Sequence, residues 1–126
     1  MTLHRFEGGP GGVDGGDPKP GVKDDKGKLE FSLFPLDALR SITRILMWGA
    51  YERPRPDGSK GYGANNWEKV PNARRRYYDA LLRHVTAWYE GETNDPDSGA
   101  HHLAHAGCCL VFLLSLDLRG RLSSEE

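Results

Sequence analysis

Cysteines are scarce in this sequence, and the two that occur, Cys108 and Cys109, are adjacent. Adjacent residues of a helix point about 100° apart, so these two thiols are poorly placed to bond each other. We interpret them as small buried apolar residues of a reducing compartment. No Cys-x-x-Cys pair accompanies them, which argues against a metal or redox role for the thiols.

Long apolar runs and an excess of one charge are also lacking. The longest apolar run, residues 108–114, is far shorter than the roughly 20 residues that cross a bilayer. The N-terminus lacks the apolar core of a signal peptide, so we expect a cytoplasmic protein with no membrane partner. Seventeen basic and eighteen acidic residues give a formal charge of -1. No global field would therefore hold the chain on nucleic acid, which is not an expected partner.

The composition is that of one globular domain with a polar arm at its start. Residues 1–27 are rich in Gly, Pro, Asp and Lys and cannot bury enough apolar surface to offset their ordering entropy, so they are predicted to be flexible. Residues 28–120 are predicted to form the domain, and residues 121–126 a polar tail. Leu29, Phe31 and Leu33 alternate with polar residues, a pattern typical of a short half-buried strand or of an extended segment leading into Pro35.

Beyond Pro35 the pattern predicts a mainly α fold with about three helices. The first has about 13 residues and ends near Gly49. The second is capped by Asn72 and runs to residue 89 or 90, before Gly91. The third begins at residue 99 after a cap at residue 97 or 98 and ends at about residue 118. A long Pro- and Gly-rich loop, residues 51–71, joins the first two helices and is typical of a functional loop.

Each of the later helices has an apolar stripe that needs a partner. The predicted inner stripes are Tyr78, Leu81, Val85 and Trp88 on the second helix, and Leu103, Ala106, Leu110 and Leu113 or Leu114 on the third. Three helices make a thin core for a monomer, so we expect a homodimer or higher homo-oligomer packed as a helical bundle. The alternative is a compact three-helix monomer that the long loop and the strand close.

Titratable residues concentrate on the last two helices and the turn between them, which is the candidate site. His102 and His105 are three residues apart and share a helix face, where they could hold a divalent cation or a phosphate, or satisfy local hydrogen bonds. Asp79 and Arg83 are four apart and could form an ion pair, or bind a metal and phosphates respectively. His84 is about 140° around the helix from Asp79, so the two serve different contacts.

The long loop and the start of the second helix offer further candidates. Asn66 could read a base through its amide and Trp67 could stack on it, although a loop Trp is more often a plug over the core. Arg74, Arg75 and Arg76 are commonly a solvated face. Three positive charges at a helix N-terminus oppose the helix dipole, which favours a nearby anion.

Taken in order, these residues resemble the phage-type dATP/dGTP diphosphohydrolase N-terminal family. The similarity covers roughly residues 24–116 and is most specific in the Asp-Ala-Leu-Leu-Arg-His and Asp-Ser-Gly-x-x-His-Leu-x-His blocks. The further matching pieces are residues 28–35, Trp48-Gly49-Ala50, Asn66-Trp67, Gly91-Glu92 and Asp95.

The resemblance implies a helical domain related to the MazG-like nucleotide pyrophosphatases, which cleave a dNTP to a dNMP and pyrophosphate. It implies a Mg²⁺ ion, with Mn²⁺ as an alternative, held by carboxylates; here the metal set would be Asp79, Glu92, Asp95 and Asp97. The implied catalytic set is Asp79, His84, His102 and His105, and the implied substrate-binding set is Asn66, Trp67, Arg83 and Ser98. A phage-encoded protein would work in the host cytoplasm.

Three function classes remain open from the sequence, and the third of them is a structural or interaction protein that uses the third helix as its interface. The first is a phage-type dNTP diphosphohydrolase that hydrolyses dATP or dGTP. The second is a non-catalytic oligomeric phage protein that binds and sequesters a nucleotide-derived defence signal with the same Arg, His and Trp residues. Convergence of the acidic side chains favours the enzyme, because a metal needs several oxygens at one point while a binder needs only donors and stacking surfaces.

Overall fold

A computed structural model of the chain describes residues 19–122. The predicted flexible arm lies outside the described residues up to residue 18, and the predicted polar tail lies outside them from residue 123. The chain divides into two units between Phe31 and Ser32. In the first, residues 19–30 are exposed and irregular, with one turn in which the Lys28 N–H donates to the Asp25 carbonyl at 3.1 Å.

The predicted short strand is wrong. Phe31–Leu33 forms one turn of 3₁₀ helix, and the described part of the chain contains no strand, only two isolated bridges, Pro54 with Lys60 and Asn94 with His101. Leu29, Phe31 and Leu33 are 80%, 80% and 78% exposed. The alternating pattern needed a neighbouring strand to hydrogen-bond with, and the folded unit offers none.

The prediction of a mainly helical fold with three helices is confirmed. Helix α1 spans Leu36–Met47, α2 spans Ala73–Tyr89 and α3 spans His102–Leu118. Gly49 does not end the first helix, because the chain continues as a π-helical turn over Trp48–Glu52. The Arg53 N–H closes that turn on the Trp48 carbonyl at 2.8 Å. Within residues 19–122, no helix is both long and apolar enough to cross a bilayer.

The helix starts differ from the predicted caps. Asn72 does precede α2, but it has a left-handed backbone (φ 57°) and its side chain makes no capping hydrogen bond. Helix α3 begins three residues later than predicted, and its cap is His101, whose Nδ1 accepts from the Leu103 N–H at 3.0 Å. Ser98 is therefore left outside the helix, free to contact other groups.

Helix α3 lies at the centre of the domain and packs against both α1 and α2. Ile45 of α1 meets Ala104 and Cys108 of α3 in the core. The helices approach closely at Gly107, where an added Cβ would lie 2.7 Å from Ile42 Cδ1. Most of the buried apolar residues are small, Ala or Cys, and among the described residues Ile45 and Leu116 are the larger ones.

The predicted inner stripe of α3 is correct at Ala106, which is buried, and at Leu113, which is partly buried, and wrong at the other positions. Leu103, Leu110 and Leu114 are exposed, and the buried face runs instead through His102, His105, Cys109 and Leu116. This helix is apolar nearly all round, so its sequence gave little indication of the inward face.

On α2, the predicted Leu81 and Val85 are partly buried, but Tyr78 and Trp88 are exposed. Tyr77 points inward in place of Tyr78 and packs on Phe112 of α3, with ring centroids 5.2 Å apart.

Candidate functional site

A cavity of about 730 Å³ opens between the π-helical turn, the long loop, α2 and α3. Its volume falls in the range of small-molecule sites. Three guanidinium groups line it, those of Arg53, Arg76 and Arg83, against a single carboxylate, that of Asp79. The cavity is therefore locally basic although the whole chain has a formal charge of -1.

One wall of the cavity is aromatic and carries a cation. The Arg53 guanidinium carbon lies 5.3 Å from the ring centre of Trp48 and 5.9 Å from that of Tyr62. Backbone hydrogen bonds hold this wall together, since the N–H of Tyr62 donates to the Gly49 carbonyl at 2.9 Å. The long loop is thus folded back onto the π-helical turn rather than extended into solvent.

Asn66 and Trp67 lie in a short 3₁₀ turn, Asn66–Lys69, and both line the cavity. The Trp67 ring stacks on Phe112 with centroids 4.7 Å apart and planes 8° from parallel. The Arg119 guanidinium lies 5.3 Å from the centre of the same ring. Trp67 therefore plugs the core against α3, while Asn66 lines the cavity beside it.

Glu68 ties the same turn to the end of α3. Its carboxylate accepts from Arg119 and from Arg121, each at 3.0 Å, and its carbonyl accepts from Arg121 at 2.9 Å. Arg121, which the predicted boundaries placed in the polar tail, thus contacts the folded domain.

Three histidines form a contiguous cluster beside the cavity, His84 of α2 with His102 and His105 of α3. The rings of His84 and His105 stack with centroids 4.6 Å apart and planes 8° from parallel. His84 Nδ1 and His102 Nδ1 are 2.9 Å apart, and His102 Nε2 lies 2.6 Å from Glu92 Oε1. His84 and His105 line the cavity, so His102 and Glu92 support the site from outside the cavity lining.

Burial keeps the cavity-facing histidines neutral. Desolvation, helped by the neighbouring His105, lowers the pKa of His84 to about 4, against the opposing effect of Asp95. Desolvation also lowers the pKa of His105, where Asp95 again opposes it. Both imidazoles are therefore uncharged at neutral pH, with a nitrogen lone pair each, which is the form that binds metals and accepts protons.

Residues 93–101 fold into a compact loop that brings Asp95 and Ser98 against α3. The Asp95 N–H donates to the Ala100 carbonyl at 2.8 Å, and the His102 N–H donates to the Thr93 carbonyl at 2.9 Å. Asp95 Oδ2 lies 3.5 Å from His105 Nε2. The Ser98 hydroxyl lies 2.7 Å from the same nitrogen and accepts from the Ala100 N–H at 3.1 Å.

The predicted metal-binding carboxylates do not gather at one point. Among the described residues, one group of three possible ligands has its ligand atoms within 4.8 Å of one another, and it is His84, Asp95 and His105. Glu92 is engaged by His102, and Asp97 contributes its backbone N–H to Asp95 Oδ1 at 3.0 Å. Asp79 lies at the cavity and also borders a shallower groove along α2.

Asp79 and Arg83 do not form the intrahelical ion pair that their spacing allows. Ion pairs between described residues include those of Arg119 and Arg121 with Glu68. Arg83 and Asp79 each line the cavity instead.

Trp48, Arg53, Tyr62 and Arg76 line the cavity but were not among the site residues predicted from the sequence. The first three sit in or beside the π-helical turn and the loop that folds onto it, and that fold has no sequence period to reveal it. Arg76 was considered only as one of three consecutive cations. It lines the cavity and donates to the Pro71 carbonyl at 3.2 Å.

These features define a small helical domain with a basic, partly aromatic cavity beside a histidine cluster. Comparison with known proteins agrees with the resemblance seen in the sequence. Residues 18–126 match the family described as dATP/dGTP diphosphohydrolase, N-terminal, and the chain belongs to that family.

A relative from Salmonella phage PMBT28, named dATP/dGTP diphosphohydrolase, is 31% identical over 106 residues. The match covers 84% of this chain and 32% of the relative, so the chain spans about a third of that protein's length. No solved structure matches the chain significantly.

Proposed function

We propose that this domain binds a purine deoxynucleoside triphosphate, dATP or dGTP, and takes part in its hydrolysis to a monophosphate and pyrophosphate. The observation that carries the proposal is the cavity, which is of nucleotide size and lined by three guanidinium groups and one carboxylate. The name of the phage relative supports the same substrate. In the reaction, water attacks the α-phosphorus and the bond to the bridging β-oxygen breaks.

The arginines suit the triphosphate and the aromatic wall suits the base. Arg53, Arg76 and Arg83 present fork-shaped donors that match phosphate oxygens. Trp48 and Tyr62 offer faces for stacking, and Asn66 offers an amide that can read a base edge. Trp67 supports this surface from the core side, because its ring is stacked on Phe112. Ser98 lies behind the cavity and acts through His105, whose Nε2 its hydroxyl contacts.

The four carboxylates proposed for Mg²⁺ do not fit a resident magnesium cage, since they form no three-ligand group among the described residues. Mg²⁺ is commonly held by one or two carboxylates together with substrate phosphates. Asp79 is the carboxylate that lines the cavity, so in this proposal Mg²⁺ or Mn²⁺ arrives with the nucleotide and Asp79 would hold it. Such an ion neutralises phosphate charge and lowers the pKa of a bound water.

A non-catalytic nucleotide-binding domain is the second candidate, because the predicted carboxylates stay apart while the arginines and aromatic rings line one cavity. In that case the cavity sequesters a nucleotide-derived signal and leaves it intact. Binding alone fits both candidates, so only product formation separates them.

The deciding experiment incubates the purified chain with each dNTP and NTP, with and without Mg²⁺ or Mn²⁺, and resolves products by ion-exchange chromatography. Metal-dependent dAMP or dGMP with pyrophosphate supports the enzyme, and Asp79→Asn then lowers kcat about 100-fold or more. Asp117→Asn, an exposed carboxylate outside the cavity lining, is the matched control and leaves the rate unchanged. Intact nucleotide that binds tightly by calorimetry supports the second candidate, and neither binding nor turnover contradicts both.

We also propose that the chain assembles as a homo-oligomer through α3. Leu110 and Leu114 are 55% and 56% exposed, and Leu103 lies on the same side of the helix at 40%. Their spacing of seven and four residues makes one continuous apolar stripe, which a second copy can cover with its own. Among the described residues, the buried apolar side chains are Ile45, Leu116 and five Ala or Cys residues, which gives a single copy little apolar burial to rely on.

A further inference from the structure

We propose that His84, Asp95 and His105 form a resident binding site for one transition-metal dication of the Zn²⁺ or Co²⁺ class, separate from any Mg²⁺ that accompanies a nucleotide. One ligand atom from each residue lies within 4.8 Å of the other two. Two imidazoles and one carboxylate are a donor set that suits zinc and its first-row neighbours, whereas magnesium prefers oxygen alone.

The spacing between His105 and Asp95 fits an ion better than it fits a hydrogen bond. The Ser98 hydroxyl lies 2.7 Å from His105 Nε2 and gives up this contact when an ion binds. Two ligands of a tetrahedral ion at about 2.1 Å lie about 3.4 Å from each other. His105 Nε2 and Asp95 Oδ2 are 3.5 Å apart, which is long for a hydrogen bond to a carboxylate but close to that ligand separation. The widest ligand pair in the group has to close by about 1.4 Å at most, a movement within the reach of side-chain rotation.

The hydrogen bonds of the histidine cluster engage one ring nitrogen of His84 and leave the other for a ligand. Ionised Glu92 can only accept, so His102 Nε2 donates to it across 2.6 Å. In a neutral His102 the other nitrogen, Nδ1, then accepts, and it lies 2.9 Å from His84 Nδ1. His84 therefore donates from Nδ1 and keeps the lone pair on Nε2, the arrangement of a metal-binding histidine with a supported second nitrogen.

Asp95 is held in place without using the oxygen that faces His105. Its Oδ1 accepts from the Asp97 N–H at 3.0 Å, while Oδ2 is the atom near His105. The Asp95 side chain is 15% exposed and that of His105 is 9% exposed, so an unpaired carboxylate would be costly there. A dication compensates that buried charge and replaces the need for a protonated histidine.

The site has three protein ligands and borders the cavity through His84 and His105. Three ligands with an open fourth position are the pattern of metal sites that bind water or substrate.

The test is metal binding by the full chain in the absence of any nucleotide. The chelator-treated protein is titrated with Co²⁺, read by visible absorption, and with Zn²⁺, read by calorimetry. We expect one ion per chain and an intense visible band typical of a tetrahedral or five-coordinate cobalt site. A stoichiometry other than one, or only the weak spectrum of hydrated Co²⁺, overturns the proposal.

Single substitutions test whether the ion binds at these three residues. Asp95→Asn keeps an oxygen for the Asp97 N–H but lowers ligand charge, and we expect Zn²⁺ affinity to fall more than 100-fold, beyond the roughly 10–100-fold typical of a lost supporting group. Glu92→Gln should fall within that smaller range. His101→Asn is the control, because it retains a helix-capping side chain on α3 and lies outside the ligand group. The site is contradicted if His101→Asn loses as much Zn²⁺ affinity as Asp95→Asn does. It is also contradicted if Asp95→Asn has a native circular dichroism spectrum and an unchanged Zn²⁺ affinity.

This inference does not depend on the proposed function. If the protein binds Zn²⁺ or Co²⁺ but does not hydrolyse nucleotides, the metal site is established and the hydrolase is refuted. If it hydrolyses nucleotides with Mg²⁺ but binds neither Zn²⁺ nor Co²⁺, the hydrolase is established and the metal site is refuted.

Discussion

Burial on α3 sets the chemistry of individual side chains. Desolvation raises the pKa of Cys108 from its ordinary value of 9.0 to about 12, and that of Cys109 to about 11. The same helix carries His105, whose pKa burial lowers. In each case the uncharged form is favoured, so this surface of α3 is neutral at physiological pH.

The two thiols should therefore be unreactive in the native protein. At pH 8 a thiol with a pKa of 11 or above is thiolate in at most about one part in a thousand. We expect labelling by Ellman's reagent to be at least 100-fold slower in the native protein than in urea, with Cys109→Ala used to isolate Cys108. Native labelling as fast as that in urea would contradict the buried position.

The same shifts make stability depend on alkaline pH. Both thiols have folded pKa values above the unfolded value, so their contribution is complete below pH 9 and is lost as the pH rises from about 9 towards 11–12. Desolvation acts in the same direction on Tyr77, whose pKa rises to about 12. Urea midpoints should accordingly fall between pH 8 and pH 10.5 in the wild type.

At the level of elements, the π-helical turn and the loop that folds onto it depend on Gly61. This residue has φ +78°, and a Cβ added there would collide with the Ala50 carbonyl oxygen and the Tyr51 backbone. Gly58 has a similar φ of +88° but open space around it. Alanine substitutions at Gly61 and at Gly58 therefore separate two contributions to destabilisation. Both include the cost of a left-handed backbone, and only the one at Gly61 includes the cost of a steric collision.

Gly61→Ala is expected to lower the free energy of unfolding by about 1–2 kcal/mol from the left-handed backbone plus about 1–3 kcal/mol from the collision. Gly58→Ala should lower the free energy of unfolding only by the contribution of the left-handed backbone, because no atom lies close to the added Cβ. Urea denaturation of both variants measures the difference. Equal destabilisation of the two would mean that the loop does not lie against the turn as described.

The sequence predicted which elements exist better than which faces they bury. The α2 bounds were predicted well, since a helical stripe and Gly91 mark its end. The inward face of α3 was not, because leucines surround that helix and the choice is made by small residues, Ala104 and Gly107, where α1 packs. Tyr77 and Tyr78 are equivalent in the sequence, and only contact with Phe112 distinguishes them.

For the site, the helical candidates were easier to find than the loop candidates. Asp79, Arg83, His84 and His105 line the cavity, and their spacing along helices made them visible. Arg53 and Tyr62 come together through cation–π contact and backbone bonding of an irregular loop, which no period encodes. Asp95 meets His105 only because residues 93–101 fold back on α3.

At the scale of the whole molecule, charge and apolar surface are unevenly distributed. The formal charge of -1 coexists with a basic cavity lined by three guanidinium groups, so the net charge of the chain does not argue against a nucleotide as its ligand. The apolar stripe of α3 is similarly concentrated, at Leu103, Leu110 and Leu114.

The proposed assembly through that stripe predicts a dimer or larger species well above the 14.0 kDa of one chain in light scattering coupled to size exclusion. Leu110→Glu should shift it to one chain, because a charge at the centre of an apolar interface is costly to bury. Leu36→Glu, at a leucine on α1 that is 52% exposed, is the control and should leave the mass unchanged. A wild type that elutes as one chain at tens of micromolar would refute the assembly.

The π-helical turn also has a consequence for insertions and deletions in relatives. A π turn holds one residue more than an α turn over the same hydrogen-bonded span. Deleting one residue between Gly49 and Glu52 would therefore convert the π turn into an α turn and leave the side chains on either side of it in their present register. Arg53 would then stay beside the aromatic wall, so relatives one residue shorter at this turn should still carry a cation at this side of the cavity.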